Sequence, residues 1–399
     1  MTRRALRREP GALVIGGDYR GLGIARSLGR RGVRVTVAQH DDRIAGFSRY
    51  ARHRLRWSVT SDEAQVDALS RVAEQDGLEG SVLFPTDDRV AAIVSRNHEV
   101  LSRAYRLTTS PWEQYSVAQD KRLTYARATE AGLAVPKTWY TETVDEVAAL
   151  DLEYPVILKP ASGEHDNPIT QVKAWRVDDR DALLARYEEA TAFLARGHVM
   201  IQEVVPGGGG CQLAFAAACR DGEAGAFLAA RRARQVPMDF GRASTFVETV
   251  DDPEVVEQGL RLVSALRLTG LVEVEFKRDP RDGGLKVLDV NARAWGWHSI
   301  GAPAGVDFPF VAYRLALGEP VERAQGRAGV RWVRLTTDVP TAAKEILAGR
   351  MNAREYLGSL RPPLEGPISA FDDPLPALFE VPTVAWHAAR RAMPRRQVK

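Results

Sequence analysis

The sequence predicts a mixed α/β and α+β protein, and three observations support that prediction. Residues 12–37 read as a strand, a glycine-rich turn, a helix and a second strand, which is typical of a doubly wound α/β domain. The pair Pro-Trp at residues 111–112 marks a boundary. Further along, segments 271–277 and 285–291 alternate apolar and polar residues on either side of an Asp-Gly-Gly turn, as β-hairpins do. We therefore expect a doubly wound N-terminal domain followed by α+β units.

Length and composition indicate a globular protein of two or three domains. The 399 residues are 45% hydrophobic and 27% charged, and no apolar run approaches the roughly 18–20 residues that a membrane span needs. The basic start leads into a short strand, so we expect no secretion signal and a cytoplasmic location. Cys211 and Cys219 are too few for a disulfide framework and have no metal-ligand spacing.

The net charge of +3 does not indicate a nucleic-acid partner. Nine of the 55 basic residues lie at the two ends of the chain, so the remaining body is net acidic. These nine are Arg3, Arg4, Arg7, Arg8, Arg390, Arg391, Arg395, Arg396 and Lys399. An amphipathic tail from about Thr383 could touch an anionic membrane surface, but we favour a peripheral helix with a frayed basic end. The sequence leaves open whether the protein forms a homo-oligomer.

The glycine turn of the first domain resembles a dinucleotide-binding turn only in part. Glycines 16, 17, 21 and 23 allow a sharp turn and a close approach of the next helix. Their spacing is not G-x-G-x-x-G, and no acidic residue ends the strand at 33–37. We favour a unit that helps hold a substrate or only packs, with a dinucleotide site as the alternative. A strand-to-helix step at 81–90 extends the pattern to residue 112.

Two lysines after the boundary are placed where a phosphate could bind. Lys121 lies near the start of a helix that should end before Gly132, and a cation there gains nothing from the helix dipole. Lys159 ends a buried strand that begins at Val156, and the loop 161–168 follows it. A point charge beside such a loop suits nucleotide phosphates, and two solvated lysines are the alternative.

The hairpin presents a cluster of oxygen ligands. Strand alternation places Glu275 on one face of the first strand, and it places Asp289 and Asn291 together on the second. Arg293 joins them if the strand runs on. Hard oxygen ligands of this kind suit Mg²⁺, which often reaches a protein through one or two carboxylates and substrate phosphates. The alternative is a solvated hairpin face.

With these residues the sequence resembles the ATP-grasp superfamily, whose magnesium-binding strand pair reads E-F followed by (E/D)-x-N-x-R. The run P-V-I-L-K-P at 155–160 resembles the superfamily's phosphate-binding strand, and the matching motifs cover about residues 110–320 in order. The segment V-I-G-G-D-Y-R-G-L-G-I-A-R-S-L more loosely resembles carboxylate-amine ligases related to D-aspartate ligase. The resemblance implies an ATP-grasp fold with three parts. These are an N-terminal α/β domain at 1–112, an ATP-grasp domain of two α+β subdomains at 113–320, and a C-terminal extension at 321–399.

The resemblance also implies roles for individual residues. It implies Mg²⁺, with Mn²⁺ as a substitute, at Glu275, Asp289 and Asn291. It implies ATP contacts from Lys121 and Lys159 to phosphates, and from Gln202, Glu203 and the backbone of Val205 to the nucleoside. Arg293 is expected to stabilise acyl-phosphate oxygens.

Three arginines precede a proline and a glycine-bearing turn, so they cannot all lie on one helix face. We expect Arg231 and Arg234 to clamp carboxylate or acyl-phosphate oxygens, a role that suits the planar guanidinium. A solvated basic strand is the alternative. For His298, which stands beside two tryptophans, we favour packing over a role as a proton shuttle.

The activity implied by the resemblance is ATP-dependent amide formation. ATP phosphorylates a substrate carboxylate, and a small-molecule amine attacks the acyl phosphate to give the amide, ADP and phosphate. Two alternatives remain: a nucleotide-binding protein without ligase activity, and a dinucleotide-dependent oxidoreductase. The sequence does not identify the acid or the amine.

Overall fold

The structure is a computed structural model that describes most of the chain. The described residues are 10–40, 42–58, 61–162, 167–195, 197–238, 240–241 and 243–392. Part of the loop that follows Lys159, and the basic residues at 3–8 and 395–399, lie outside the described residues.

The N-terminal part is a five-stranded parallel sheet with helices on both faces. Its strand order is β3-β2-β1-β4-β5, with β1 at Ala12–Ile15, β2 at Val35–Gln39, β3 at Ala51–Arg56, β4 at Val82–Pro85 and β5 at Arg106–Leu107. The helices are α1 at Tyr19–Gly29, α2 at Asp62–Gln75, α3 at Asp88–Arg96 and α4 at His98–Leu101. Alternate residues of β1 are buried on opposite faces: Val14 packs with Leu22 of α1, and Leu13 packs with Leu69 of α2. The predicted doubly wound unit is therefore present.

Two helices and a small antiparallel sheet follow. The helices are α5 at Trp112–Gln119 and α6 at Lys121–Glu130. The sheet has the order β6-β9-β7-β8, with β6 at Thr138–Tyr140, β7 at Val156–Pro160, β8 at Trp175–Val177 and β9 at Val199–Glu203. The helices α7 at Val144–Ala148, α8 at Pro168–Val172 and α9 at Arg180–Thr191 accompany it. Its apolar core includes Val156, Leu158, Leu183 and Tyr187, so this subdomain has a hydrophobic cluster of its own.

The next segment builds most of a large sheet. Its strands are β10 at Gln212–Arg220, β11 at Glu223–Val236, β12 at Ala243–Val250, β13 at Gly270–Arg278 and β14 at Leu285–Asn291. Its helices are α10 at Pro253–Ala265, α11 at Gly301–Ala304 and α12 at Phe308–Ala316. The alanines of β10 at 214, 216 and 218 belong to the core shared with α1 and α12, whereas Phe215 packs on the opposite face with residues of α10. This sheet is thus covered on both faces.

The C-terminal part is joined to the large sheet. It contains β15 at Ala324–Gln325, β16 at Arg331–Val333 and β17 at Leu364–Glu365, and the full sheet order is β14-β13-β10-β11-β12-β16-β17 with β15 paired to β11. The helices are α13 at Leu335–Leu347, α14 at Ala353–Ser359 and α15 at Leu375–Ala392. Helix α15 begins well before Thr383, where the amphipathic tail was expected to begin. The boundaries at residues 112 and 320 stay predictions. Within the described residues, no helix is long and apolar enough to cross a membrane.

Candidate functional site

Two cavities meet at the predicted metal-binding hairpin. The first cavity, of about 210 Å³, lies between the small sheet and the hairpin, and its lining includes Lys121, Lys159, Gln202, Glu203 and Val205. The second cavity, of about 830 Å³, lies between the large sheet, the N-terminal domain and the C-terminal part; its lining includes Tyr19, Asp88, Arg232, Glu273, Arg293 and Arg334. Thr170, Lys173, Glu275 and Asp289 line both cavities. The two carboxylates therefore lie at the junction.

The strand register brings the predicted metal ligands together. Glu275 of β13 lies directly opposite Asp289 of β14, and Glu273 lies opposite Asn291. The Glu275 carboxylate is 2.5 Å from Nη1 of Arg232, and it accepts a hydrogen bond of 3.3 Å from Nζ of Lys173. Burial alone would raise the pKa of Glu275, but the charges of Arg232 and Lys173 outweigh it and hold that pKa well below its ordinary value. Glu275 is therefore a buried, ionised carboxylate.

Lys121 neutralises the second carboxylate. Its Nζ donates to Oδ1 of Asp289 at 2.8 Å, and the backbone N–H of Val290 donates to the same oxygen at 3.1 Å. Burial would lower the pKa of Lys121, but Asp289, with help from Glu275, raises it above its ordinary value. The other oxygen of Asp289, Oδ2, accepts no hydrogen bond from any residue that the structure describes. One hard oxygen ligand is thus available at the junction.

The residues present fit a magnesium ion. Glu275, Asp289 and Asn291 offer two carboxylates and an amide oxygen. Oδ2 of Asp289 accepts no hydrogen bond from a described residue, whereas the amide oxygen of Asn291 accepts one from Nη2 of Arg293 at 3.1 Å. Among the described residues no group of three or more His, Cys, Asp or Glu side chains forms a metal cluster. A site with few protein ligands suits Mg²⁺, because Mg²⁺ takes its remaining ligands from water and substrate phosphates. In the structure, lysine and arginine side chains balance the negative charges of Glu275 and Asp289.

Lys159 is buried and bonds no carboxylate among the residues that the structure describes. It ends β7, and its Nζ lies 3.3 Å from the hydroxyl of Tyr125. Burial, together with the charges of Lys121 and Lys173, lowers the pKa of Lys159 to about 7. An anionic ligand in the first cavity would reverse that shift. The position of Lys159 in this cavity is compatible with the predicted contact to phosphate, which stays a prediction.

The three residues predicted to contact the nucleoside all line the first cavity. Gln202 donates from Nε2 to the hydroxyls of Tyr125 at 3.1 Å and Thr138 at 2.8 Å. Val205 is buried at the cavity wall. The Glu203 carboxylate, however, accepts hydrogen bonds from Lys286 at 2.7 Å and Arg281 at 2.9 Å. A ribose hydroxyl would therefore have to share Glu203 with two cations.

Arg293 faces the second cavity and is held by the N-terminal domain. Its Nε and Nη2 donate to the two carboxylate oxygens of Asp88 at 2.7 and 2.8 Å, and Nη2 also donates to Asn291 at 3.1 Å. Burial alone would lower the pKa of Arg293, but the negative charge of Asp88 outweighs burial and raises that pKa above its ordinary value. This clamp fixes the orientation of the guanidinium. Asp88, the first residue of α3, was not predicted as a site residue.

The structure places Arg232, and neither Arg231 nor Arg234, at the junction. Arg231 pairs with Glu248 at 3.0 Å and is about two-fifths exposed, and Arg234 makes two hydrogen bonds to buried Asp338 at 2.9 and 2.8 Å. Neither residue lines either cavity. Arg232 bonds both Ser244, at 2.8 Å, and Glu275. The structure therefore brings Arg232 to the junction and holds Arg231 and Arg234 in ion pairs away from it, and substrate contact by Arg231 and Arg234 stays a prediction.

Glu273 is a second residue that sequence reasoning missed. It accepts hydrogen bonds from the indole of Trp297 at 2.9 Å and from the amide of Asn291 at 3.0 Å. Burial is the main cause that raises the pKa of Glu273, with Arg232 opposing it and Glu275 adding to it. Strand alternation did place Glu273 on the same face as Glu275, but nothing in the sequence distinguished its role.

The N-terminal glycine turn forms part of the second cavity. Asp18 caps α1 by accepting from the backbone N–H groups of Arg20 and Gly21, and Asp18, Tyr19 and Arg20 line the cavity. His298 is buried beside Trp295, and its Nε2 hydrogen-bonds the carbonyl of Arg20 at 3.0 Å. The turn therefore serves the same site as the hairpin. Nothing in this geometry favours the dinucleotide alternative.

Several known proteins resemble this chain in sequence or in fold. A family profile described as "ATP-grasp in the biosynthetic pathway with Ter operon" matches residues 218–337. The D-aspartate ligase of Enterococcus faecium (strain Aus0004) is 22% identical over 302 residues, which is 70% of each chain. An L-amino acid ligase from Bacillus licheniformis superimposes with a TM-score of 0.60 at 18% identity, over 79% of this chain and 76% of that one.

A further solved structure shares the fold. It is the biotin carboxylase domain of the Hydrogenobacter thermophilus 2-oxoglutarate carboxylase, in complex with MgADP, ADP and bicarbonate. It superimposes with a TM-score of 0.63 at 15% identity, over 80% of this chain and 73% of that chain. These likenesses confirm the fold class that the sequence predicted.

Proposed function

We propose that this chain, an ATP-grasp protein related to the carboxylate-amine ligases, is an ATP-dependent ligase that joins a small-molecule carboxylate to an amine. The observation that carries the proposal is the position of Glu275 and Asp289 at the junction of the two cavities. ATP in the first cavity would bring its γ-phosphate to that junction, and an acid in the second cavity would meet it there. A cytoplasmic location stays a prediction.

The reaction would proceed through an acyl phosphate. A carboxylate oxygen of the acid attacks the γ-phosphorus, and the bond from that phosphorus to the β,γ-bridging oxygen breaks as ADP leaves. The nitrogen lone pair of the amine then attacks the acyl carbon. The carbon–oxygen bond to phosphate breaks, the nitrogen loses a proton, and an amide and phosphate result. Each step moves negative charge through the junction, so positioning and electrostatics supply most of the acceleration.

The residues of the first cavity would bind the nucleotide. Lys121 and Lys159 present charges to the phosphates, and Gln202, Glu203 and Val205 lie where the nucleoside would bind. Mg²⁺ held by Glu275, Asp289 and Asn291 would offset charge on the β- and γ-phosphate oxygens. Lys121 and Lys173 would then exchange their carboxylate partners for phosphate oxygens. The nearby carboxylates keep both lysines at the junction before ATP arrives.

Arg293 and Arg232 would act on the acid. Arg293 is held by Asp88 and lines the second cavity, so it can stabilise the carboxylate and the acyl-phosphate oxygens that form from it. Arg232 is buried beside Glu275, whereas Lys121 bonds Asp289. A guanidinium at each of these positions would favour a bound carboxylate close to the γ-phosphate.

The proposal is tested by trapping the intermediate. ADP release is measured with Mg·ATP against amino acids, dipeptides and small carboxylates, and hydroxylamine is added as a substitute amine. We expect a hydroxamate to form with the acids that trigger ADP release. A nucleotide-binding protein without ligase activity would bind ATP and give neither product, and a dinucleotide enzyme would bind NAD(P)H instead.

Arg293→Lys separates acid activation from nucleotide binding. The variant keeps the charge but loses the two-pronged guanidinium, so we expect nearly normal binding of Mg·ATP and at least about a tenfold loss of hydroxamate. Arg314→Lys is the matched control, because Arg314 pairs with Glu319 and lines neither described cavity. A parallel loss of nucleotide binding in Arg293→Lys would show that Arg293 serves the nucleotide or the fold.

A further inference from the structure

We propose that Arg334 binds a second anionic group of the acid, so that the substrate carries an anionic group distant from the carboxylate that is activated. This inference rests on the proposed function, because it concerns the acid that would occupy the second cavity. Arg334 follows β16 and lines that cavity together with Tyr19 and Glu380. No motif of the sequence pointed to it.

Arg334 differs from the other arginines of the second cavity. Arg20 donates to Asp18 at 2.7 Å, Arg232 contacts Glu275, and Arg293 is clamped by Asp88. The side chain of Arg334 donates a hydrogen bond to no residue within the described parts of the chain, and its Nε is buried without an acceptor. Guanidinium N–H groups that have no protein acceptor can donate to the oxygens of a ligand in the cavity.

The guanidinium of Arg334 is nevertheless held in place. Its central carbon lies 4.3 Å from the centroid of the Tyr19 ring, a stacked arrangement that leaves the edge of the guanidinium free for hydrogen bonds. The carboxylate of Glu380 is 3.6 Å away, beyond hydrogen-bonding distance, and it accepts instead from the hydroxyl of Thr336 at 2.7 Å. Glu380 thus balances the charge of Arg334 without using its donors. A carboxylate or phosphate-type oxygen pair from a ligand fits these donors.

The sheet gives the approximate separation of the backbones of Arg232 and Arg334, the two arginines that would bind the ends of the acid. Arg334 N–H donates to the carbonyl of Thr245 at 3.0 Å, which pairs the end of β16 with β12. The adjacent residue Ser244 accepts the hydrogen bond of Arg232 from β11, the next strand. Two strand spacings of roughly 4.8 Å therefore separate the backbones of Arg232 and Arg334, or roughly 10 Å. The proposed substrate is an extended acid whose two anionic groups are several bonds apart.

The test measures binding of defined acids to the full chain with Mg·ADP at constant ionic strength. The probes are suberate, its monomethyl ester and 7-phosphonoheptanoate, which differ only in the group at one end. We expect suberate or the phosphonate to raise the Tm of the wild type more than the monomethyl ester does. Whichever dianion is preferred identifies the second group as a carboxylate or as a phosphate-type anion.

Arg334→Met and Arg334→Gln should each weaken binding of the preferred dianion by at least about tenfold and leave the half-ester unchanged. Arg331→Met is the matched control, because Arg331 lies on the same strand but contacts Glu248 and the carbonyl of Arg361, and it lines neither described cavity. The proposal is overturned if the wild type does not distinguish dianion from half-ester, or if both Arg334 variants still do. Hydroxamate formation is measured separately, so its absence would refute the ligase reaction and not the anion site.

Discussion

At the residue scale, the pKa values of two lysines in one cavity are shifted in opposite directions because their neighbours differ. Lys121 is bonded to Asp289, which raises its pKa despite burial. Lys159 has a phenol hydroxyl as its polar neighbour, and burial lowers its pKa to about 7. A buried cation of this kind lowers the free energy of unfolding when no ligand is bound. We interpret Lys159 as a phosphate ligand on that ground.

Replacing Lys159 by Met should have opposite effects on stability and on binding. The folded pKa near 7 is below the ordinary value of 10.5, so the unfolded chain holds more protons between those pH values, and stability rises with pH across that window. The cost of charging Lys159 is therefore greatest below about pH 7. Lys159→Met should raise the Tm of the free protein at about pH 6 more than at about pH 9, and weaken Mg·ATP binding by roughly 10- to 1,000-fold.

The exposed Lys344 provides the matched control. Lys344→Met should change neither Tm nor ATP binding appreciably at either pH. If Lys159→Met lowers the Tm at low pH and leaves ATP affinity unchanged, Lys159 is a structural residue.

At the element scale, the register of the hairpin could be predicted from the sequence. The register of β11, the strand that carries the three arginines, could not. Strand β14 occupies the predicted range 285–291, because alternation and the Asp-Gly-Gly turn determine the register locally. In β11 the pairing with β12 shifts between Arg231 and Arg234, and again beyond Arg234. Such a β-bulge changes which side chains share a face of the strand, and no pattern of residues in the sequence predicts its position. Arg232 was therefore overlooked.

Arg234 should prove structural. It ties β11 to α13 through Asp338, which is fully buried and also accepts a hydrogen bond from Thr245 at 2.7 Å. Arg234→Met would leave that carboxylate buried without its partner, so we expect a loss of about 3–5 kcal/mol in the free energy of unfolding. Arg231→Met removes only a half-exposed ion pair and should cost about 0–1 kcal/mol.

Urea unfolding measures both values, and the double variant Arg234→Met, Asp338→Leu should recover much of the loss. A stable Arg234→Met protein with impaired acid binding would instead support the original prediction that Arg234 contacts substrate.

Helix α1 packs so closely on His298 that a methyl group does not fit. A Cβ on Gly23 would come within 2.7 Å of Cε1 of His298. Helix propensity favours alanine by about 1 kcal/mol, but overpacking costs about 1–3 kcal/mol, so Gly23→Ala should destabilise the wild type. In a His298→Ala background the same change should stabilise the protein.

The effect of Gly23→Ala on the unfolding midpoint is measured in the wild type and in His298→Ala, and it should have opposite signs in the two. The control is Gly358→Ala in α14, where no atom lies within 4 Å of the added Cβ and stability should rise by up to about 1 kcal/mol. Equal effects of Gly23→Ala in the two backgrounds would mean that His298 does not set the position of α1.

At the scale of the whole molecule, all three parts of the chain contribute to the second cavity. Tyr19 and Asp88 come from the N-terminal domain, Arg293 follows the hairpin, and Arg334 belongs to the C-terminal part. Arg293 and Asp88 are 205 residues apart in sequence. The residues of the first cavity could be predicted because their motifs are local. The second cavity depends on contacts between distant parts of the chain, which a local sequence pattern does not predict.

The most direct test of acid activation by ATP is the transfer of ¹⁸O from the acid to phosphate. An acid that supports ADP release is labelled in its carboxylate and incubated with Mg·ATP, the amine and the enzyme. An acyl-phosphate route places one carboxylate oxygen in the released phosphate, and Glu275→Gln, which removes a proposed Mg²⁺ ligand, should nearly abolish the transfer. Released phosphate that carries no ¹⁸O would contradict activation of the acid by ATP at this site.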